Sequence, residues 1–321
     1  MQKSRILITA AGSIGERHIR NLWQLGFRDI VVYRTRNLPF RDLGSAQVSV
    51  VLDWQKALSC GAEIAFVTSP THLHIEQTLD CLRANMHVFV EKPIAHNLSR
   101  EAELYSVLEE SKKVLQVGYM LEFHPLLQIM KRYCDNQTFG RILKAESYWG
   151  EYLPNWHPWE DYRESYAALA AMGGGVALTL SHEIDTILWL LNSTPSKWFT
   201  VKNTLNTLPI KADNLTEVLM QFGEDAMARI HMNYIEKKAK RVTELLFENG
   251  RLTFYYFDNK LVIEDFSKDI AETIDCKGFE RNDLFISEVK EFLNRIVAHQ
   301  VGVDKSLKRA FEIVKICSEN E

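Results

Sequence analysis

A short apolar run, Ile6-Leu7-Ile8, is followed at once by Ala10-Ala11-Gly12-Ser13-Ile14-Gly15. A helical pattern opens behind it, with Ile14, Ile19, Leu22 and Leu25 near one face. Strand, small-residue turn and helix in immediate succession constrain this chain more than any other stretch, because together they begin a dinucleotide-binding unit. In such a unit Gly12 lets the backbone approach a pyrophosphate, Gly15 lets the helix sit close to the strand, and the helix N-terminus faces the negative charge. The spacing is that of G-x-G-x-x-G with Ala10 in place of the first glycine, where a side chain makes a positive φ more costly. Small residues in a tight turn also occur without any ligand. The strand–helix context is what favours the dinucleotide reading.

The chain has 321 residues, enough for two domains, with 46% hydrophobic and 25% charged residues, as in ordinary globular proteins. The net charge is -4 and no basic block occurs, which argues against nucleic acid or an anionic membrane as partner. No apolar run approaches the roughly 20 residues that span a bilayer. Met1 to Arg5 leads straight into the first strand without room for a signal peptide. The cysteines (Cys60, Cys81, Cys134, Cys276, Cys317) are odd in number, lack C-x-x-C spacing and read as reduced thiols. A cytoplasmic protein is expected.

Ile30-Val31-Val32-Tyr33 is the second strand, and at its end a nucleotide-binding fold reads the adenosine ribose. An acidic residue there would bond the 2′-hydroxyl. Arg34, Thr35 and Arg36 stand there instead, two cations and a hydroxyl suited to a 2′-phosphate, so NADP is expected over NAD. A solvated basic turn is the plainer alternative. Ala62 to Thr68 is a continuous apolar strand ending in Ser69-Pro70-Thr71, ahead of a helix that holds His72, His74, Ile75 and Leu79. The strand His87 to Val90 runs directly into Glu91-Lys92-Pro93. Ligands of such sheets bind beyond the carboxyl ends of strands, so Lys92 stands where chemistry would occur, although a lone strand-end lysine is usually a surface lysine.

The G-S-I-G turn, the strand ending in T-S-P-T-H-x-H, the E-K-P and the V-L-Q-V-G-Y-M-L-E-F-H of Val114 to His124 resemble the Gfo/Idh/MocA family of NAD(P)-dependent oxidoreductases, over essentially the whole chain. The resemblance implies an α/β protein with an N-terminal Rossmann domain, a doubly wound parallel sheet, over residues 1–122. Residues 123–321 would form a substrate-binding α/β domain on a large, open, mostly antiparallel sheet, with the C-terminal helices free to pack back on the first domain. That sheet would serve as the interface of a homodimer or homotetramer. Cofactor contacts would come from Ala10, Gly12, Ser13, Ile14 and Gly15, from Arg34, Thr35 and Arg36, and from Ser69, Pro70, His74, Glu91 and Lys92. The implied substrates are sugars, polyols or their derivatives, oxidised or reduced at a secondary carbon.

In the second half, Phe123 to Tyr133 reads as a helix and Ile142 to Tyr152 as a strand. Tyr152 to Tyr166 then packs Trp156, His157, Trp159 and Arg163 among further aromatics and two prolines, without helical or strand periodicity. Flat aromatic faces beside hydrogen-bonding groups suit a carbohydrate; a rigid aromatic loop at a subunit interface fits equally. Arg163 suits a carboxylate or phosphate, or a plain surface ion pair. Y-L-P-x-W-H-P-W-E-D-Y-R resembles a branch of the family found with bacterial surface-polysaccharide and sialic-acid-like sugar pathways, and Tyr119 would join the substrate contacts.

Gly173-Gly174-Gly175 opens a helix from Val176 to Leu191 with Thr179, His182 and Asp185 on one flank. A buried helix histidine is most often a satisfied core residue, but the family places a catalytic His at this spot. Removing a hydroxyl proton during hydride transfer suits an imidazole, and the Lys92 ammonium would stabilise the developing oxyanion. His182-Glu183 begins an H-E-x-x-H pattern that fails at Thr186, so no metal is expected. Three positions depart from the family: Ala10, Glu122 where many relatives carry Arg, and Thr179 where an Asp is common. Strands are expected at Trp198–Asn203, Leu215–Phe222, Ala226–Tyr234, Arg241–Glu248, Arg251–Phe257 and Leu261–Glu264, with a tight hairpin turn at Asn249-Gly250. Two amphipathic helices, Leu284 to Ala298 and Leu307 to Cys317, close the chain. The expected function is an NADP-linked oxidoreductase of a carbohydrate derivative. Its rivals are a redox-neutral epimerase or lyase with a retained cofactor, and a non-catalytic cofactor-binding subunit.

Overall fold

Three consecutive apolar residues make β1 (Ile6–Ile8) a strand buried on both faces, as a parallel sheet requires. In the computed structural model, which describes residues 3–318, β1 pairs with β2 (Ile30–Tyr33) on one side and β4 (Ile64–Val67) on the other. With β3 (Ser49–Val51), β5 (His87–Glu91) and β6 (Leu115–Gly118) they form a parallel six-stranded sheet in the order β3-β2-β1-β4-β5-β6. The crossovers carry α1 (Ser13–Gln24), α2 (Trp54–Leu58), α3 (His74–Arg83) and α4 (Glu101–Ser111). This is the expected doubly wound Rossmann sheet. Strand order reverses between β1 and β4, which places the ligand crevice beyond their carboxyl ends.

The described residues up to Gly118 form one unit with Phe285–Phe311, and Tyr119–Leu284 form a second with the described residues from Glu312 on. In the first unit the rings of Phe66 and Phe89 stack at 5.0 Å, and Phe292 of α8 (Arg281–Val297) meets both edge-on. The apolar stripe of the returning helix thus completes the core beside the sheet.

The second unit contains α5 (Pro125–Asp135), β7 (Ile142–Tyr152), α6 (Val176–Thr179) and α7 (His182–Leu191). They are followed by β8 (Lys197–Asn203), β9 (Leu215–Phe222), β10 (Ala226–Asn233), β11 (Ile235–Phe247), β12 (Gly250–Tyr255), β13 (Lys260–Asp265) and β14 (Ile270–Asp275). The last helix is α9 (Lys305–Cys317). The eight strands run β14-β13-β12-β11-β7-β10-β9-β8, antiparallel except for the β10–β7 pair. Along β7, Ala145, Ser147 and Trp149 turn inward while Lys144, Glu146 and Tyr148 face out, the period of 2 of a half-buried strand.

Local expectations differ from the structure at several points, and β11 starts six residues before the expected Arg241. The helix 176–191 is interrupted at Leu180-Ser181, where Ser181 N–H bonds the Leu178 carbonyl at 3.4 Å and Glu183 N–H bonds Leu180 at 3.1 Å, a tighter winding than α. The β11–β12 hairpin forms, yet neither Asn249 nor Gly250 has the positive φ of a tight two-residue turn. Glycine is needed there for packing, since a Cβ on Gly250 would lie 2.4 Å from the Phe139 ring. The edge strand β14 carries no apolar alternation and escaped sequence reading. The five cysteines are free thiols. No helix among the described residues is long and apolar enough to cross a membrane.

Candidate functional site

The turn after β1 is built by close approach. A Cβ on Gly15 would lie 2.0 Å from the Ala10 carbonyl oxygen and 3.2 Å from Thr68 Oγ1, so only glycine fits. Thr68 Oγ1 donates to that carbonyl at 2.7 Å and its N–H reaches Thr9 Oγ1 at 3.3 Å, tying the ends of β1 and β4 together at the strand-order reversal. Gly12, the residue before α1, has an ordinary φ of -77°, and a Cβ there would meet nothing of this chain within 4 Å. The clearance lies outside the turn, beside Ser13, Ile14 and the first-turn N–H groups of α1, where an anionic group would sit. The Ser69 hydroxyl is buried without a partner among the described residues. These features fit a dinucleotide: a tight turn, an open glycine, a helix N-terminus and an orphaned hydroxyl. Ala10 serves through its carbonyl, which Thr68 holds.

Thr35 and Arg36 lie exposed after β2. The Arg34 guanidinium lies 4.5 Å over the Phe40 ring and also donates to the Leu38 carbonyl, so it is held flat within its own loop. That loop is pinned to α1 by the buried Glu16 carboxylate, which accepts from the N–H groups of Arg41 and Asp42 at 2.9 and 3.0 Å. Pro70 precedes a single helical turn, Thr71–Leu73. His74 has both ring nitrogens 2.7 Å from carbonyl oxygens, of Pro93 and Ser69, and so clamps the turn after β4 to the turn after β5. Burial pulls its pKa below the usual imidazole range, against the two carbonyls that favour the cation. Glu91 is buried at the end of β5 and Lys92, half-buried, follows it into a cis peptide bond with Pro93.

In the second unit, His182 is buried at the first position of α7. The Tyr119 ring meets it edge-on at 5.7 Å and the Trp149 ring tilts towards it at 6.4 Å. Its neighbour Glu183 anchors the helix start to the sheet, accepting from Arg241 Nε at 2.7 Å and from the Ser147 hydroxyl. The Arg241 guanidinium is sandwiched 3.8 Å from Trp149 and 4.6 Å from Tyr256. Asp185, one turn on, is fully buried, and burial pushes its carboxyl well above the usual range, which favours the neutral acid. Thr179 is buried beside the hydroxyl of Tyr234, and that hydroxyl donates to the Gly175 carbonyl at 3.1 Å.

The same Tyr234 ring receives Trp156 edge-on at 5.3 Å, so the aromatic stretch is joined to the turn that precedes His182. The Trp156 indole N–H and His157 Nδ1 are buried without partners among the described residues. His157 packs on Trp159 at 5.1 Å, and Trp159 is itself 61% exposed. Arg163 is exposed and chelates the Asp161 carboxylate, the plain ion pair among its two readings. Trp149, Tyr234 and Arg241 had no motif to mark them, and Glu183 appeared only in the failed H-E-x-x-H pattern. Their only sequence signal is inward position on a strand or adjacency to His182.

Family models match both units: residues 4–119 match an oxidoreductase family with an NAD-binding Rossmann fold, and residues 127–253 match the GFO/IDH/MocA C-terminal domain. The chain belongs to the Gfo/Idh/MocA family of oxidoreductases. It is 26% identical over 192 residues to 1,5-anhydro-D-fructose reductase of Ensifer adhaerens, covering 59% of this chain and 56% of that protein. It is 25% identical over 180 residues to 2,7-anhydro-N-acetylneuraminate hydratase of Mediterraneibacter gnavus, covering 55% of this chain and 43% of that protein. The chain thus spans about half the length of these curated relatives. The solved structure of levoglucosan dehydrogenase with NADH and levoglucosan shares the fold, with a TM-score of 0.82 at 16% identity over 98% of this chain and 95% of that one.

Removing one member of a buried ion pair leaves the other charge uncompensated, at a cost of about 3–5 kcal/mol, whereas replacing both with apolar groups is often neutral. Arg241→Met should therefore lower unfolding free energy by about that amount in urea denaturation, and Arg241→Met with Glu183→Leu should recover most of it.

Proposed function

We propose that this chain is a nicotinamide-dependent oxidoreductase that moves a hydride to or from a secondary alcohol or ketone carbon of a sugar derivative. The observation that carries the reading is the turn at Gly12 and Gly15, closed on Ala10 by Thr68 and open towards a dinucleotide, in a chain of this family. A bound nicotinamide would supply or accept the hydride. Lys92 polarises the reacting oxygen and His182 exchanges its proton, held in orientation by Tyr119 and Trp149 and placed by the Glu183–Arg241 anchor. Thr179 offers a hydroxyl to substrate, and Trp156, His157 and Trp159 supply a stacking wall, with the unsatisfied Trp156 Nε1 and His157 Nδ1 for hydroxyls. Relatives that act on anhydro-sugars support the substrate class. The aromatic stretch supports a place in surface-polysaccharide sugar synthesis, carried out in the cytoplasm.

A redox-neutral reaction is the second reading, favoured by the relative named as a hydratase. It would be recognised by product formation from a sugar substrate without net change in the absorbance of the reduced cofactor.

The outward face of the second sheet carries Phe199, Val201, Leu219 and Met227, each at least 45% exposed, with Phe199 directly opposite Leu219. Contiguous exposed apolar surface on a sheet marks an interaction site. It supports self-association as a homodimer or homotetramer, and Phe199→Asp should shift the sedimentation coefficient to that of a smaller species. An unchanged value would remove this face from the interface.

NADP is the proposed cofactor, through Arg36 and Thr35 with Arg34 held flat beside them. One charge-assisted contact is worth roughly 1.5–3 kcal/mol. Arg34→Ala with Arg36→Ala should thus weaken NADPH binding at least tenfold in calorimetry while NADH binding changes little; equal affinity of the unaltered protein for both would refute it.

His182→Asn should keep cofactor affinity and lower turnover by about 10²–10⁴, the usual weight of general acid–base catalysis, with one limb of the pH profile lost. Lys92→Met should depress turnover as well. Turnover that survives both changes within a few-fold would move the acid–base role to the Tyr152–Tyr166 stretch.

A further inference from the structure

His18 of α1 is completely buried, its ring walled by Phe66, Phe89 and Phe285 at 5.3, 5.1 and 6.2 Å. Its Nε2 lies 2.7 Å from Glu91 Oε1, at the end of β5. Glu288 of α8 completes a trio, with one side-chain N or O atom from each residue lying within 4.8 Å of the other two. Glu288 is 1% exposed, and neither of its carboxylate oxygens meets a hydrogen-bond donor among the described residues. No step proposed above uses this trio.

Two carboxylates and one imidazole in an aromatic-walled interior cannot all be satisfied as ions, because an unpaired buried carboxylate loses its hydration and gains nothing in return. One proton resolves the arrangement. With that proton on Glu288 its carboxyl lies neutral beside Glu91, whose Oε1 accepts from His18 Nε2 at 2.7 Å. We propose that Glu288 keeps its proton beside the Glu91–His18 pair, so that the seating of residues 285–297 on the dinucleotide-binding sheet depends on pH.

The surrounding charges leave Glu288 in this position. Arg17 lies over the Phe285 ring at 4.7 Å and Arg295 is paired with Asp304, its other contact being Gln116 Oε1 at 3.5 Å. Gln116 in turn donates to the backbone carbonyl of Glu288 at 3.1 Å, not to its carboxyl. Lys92 follows Glu91 along the chain, and His74 senses the charges of both. Burial, reinforced by the Glu91 carboxylate, pushes Glu288 well above the usual carboxylate range. A group whose folded-state pKa is raised contributes stability that is complete below the unfolded value and lost as pH rises through the folded one. The trio therefore weakens the fold on the alkaline side. The readout is stability of the full chain, so the proposal stands apart from the catalytic reading.

Thermal denaturation of the full chain and of Glu288→Gln between pH 6 and 9 tests it, because glutamine keeps the shape and the donor but cannot ionise. Relative to the variant, the unaltered protein should lose about 2–4 °C in Tm per pH unit for as long as Glu288 is protonated in the fold but ionised in the unfolded chain, and the difference should level off once Glu288 ionises in the fold. Parallel curves would overturn the proposal. Infrared spectroscopy of the unaltered protein at pH 6 should show protonated-carboxyl absorbance beyond that of the buried Asp185, which both Glu288→Gln and Glu288→Leu diminish; absorbance unchanged in either folded variant overturns the proposal. Zinc or manganese chloride added to chelator-treated protein should leave Tm unchanged. A rise in Tm confined to the unaltered protein would mean that the three donors hold a divalent cation in place of the proton.

Discussion

In the dinucleotide-binding unit the backbone of α1 passes so close to the end of β1 that any side chain at position 15 would strike the Ala10 carbonyl. Everything useful about the turn follows from that contact. It sets the helix N-terminus at the point where strand order reverses, and it leaves the open side of Gly12 facing away from the protein. Thr68 fixes the arrangement from β4 with a bond to the same carbonyl. The alanine at position 10 is compatible with this geometry because what the turn requires of that residue is its backbone oxygen.

The second unit uses a different device for the same purpose. His182 stands at a helix start, where fraying is easiest, and the chain secures it with a charge buried one residue later. Glu183 is held by Arg241 and Ser147, and Arg241 is held in turn by two aromatic faces. A buried pair of this kind adds little net stability over an apolar contact of equal size, but losing either half is costly. It therefore enforces one position of the helix. Trp149 serves twice, as a face for Arg241 and as a neighbour of the His182 ring.

Much of the architecture was legible in the residues. The continuous apolar strands read directly as a parallel sheet, since burial on both faces leaves no place for alternation. The alternating strands of the second half read as a sheet covered on one side, and β7 and β9 occupy the expected residues. Where reading failed, a local rule had been replaced by packing. Asn249-Gly250 looks like a tight turn, yet the glycine is there to admit the Phe139 ring. The interruption at Leu180-Ser181 is invisible in a sequence whose apolar period continues through it. β14 lies at the sheet edge with five of its six residues exposed, so no apolar pattern was needed to form it.

The sequence by itself determined the glycine turn, the strand-end placement of Lys92 and the helix that holds His182, because each depends on residues adjacent in the chain. Only the tertiary structure decided that residues 285–311 return to complete the first unit, that Glu288 is buried beside Glu91 and His18, and that Arg241 reaches Glu183 from a strand 58 residues away. These pairings join groups whose separation in sequence carries no periodic signal. They are selected by the shape of the core and by the cost of burying a polar group without a partner, and neither exists until the chain has folded.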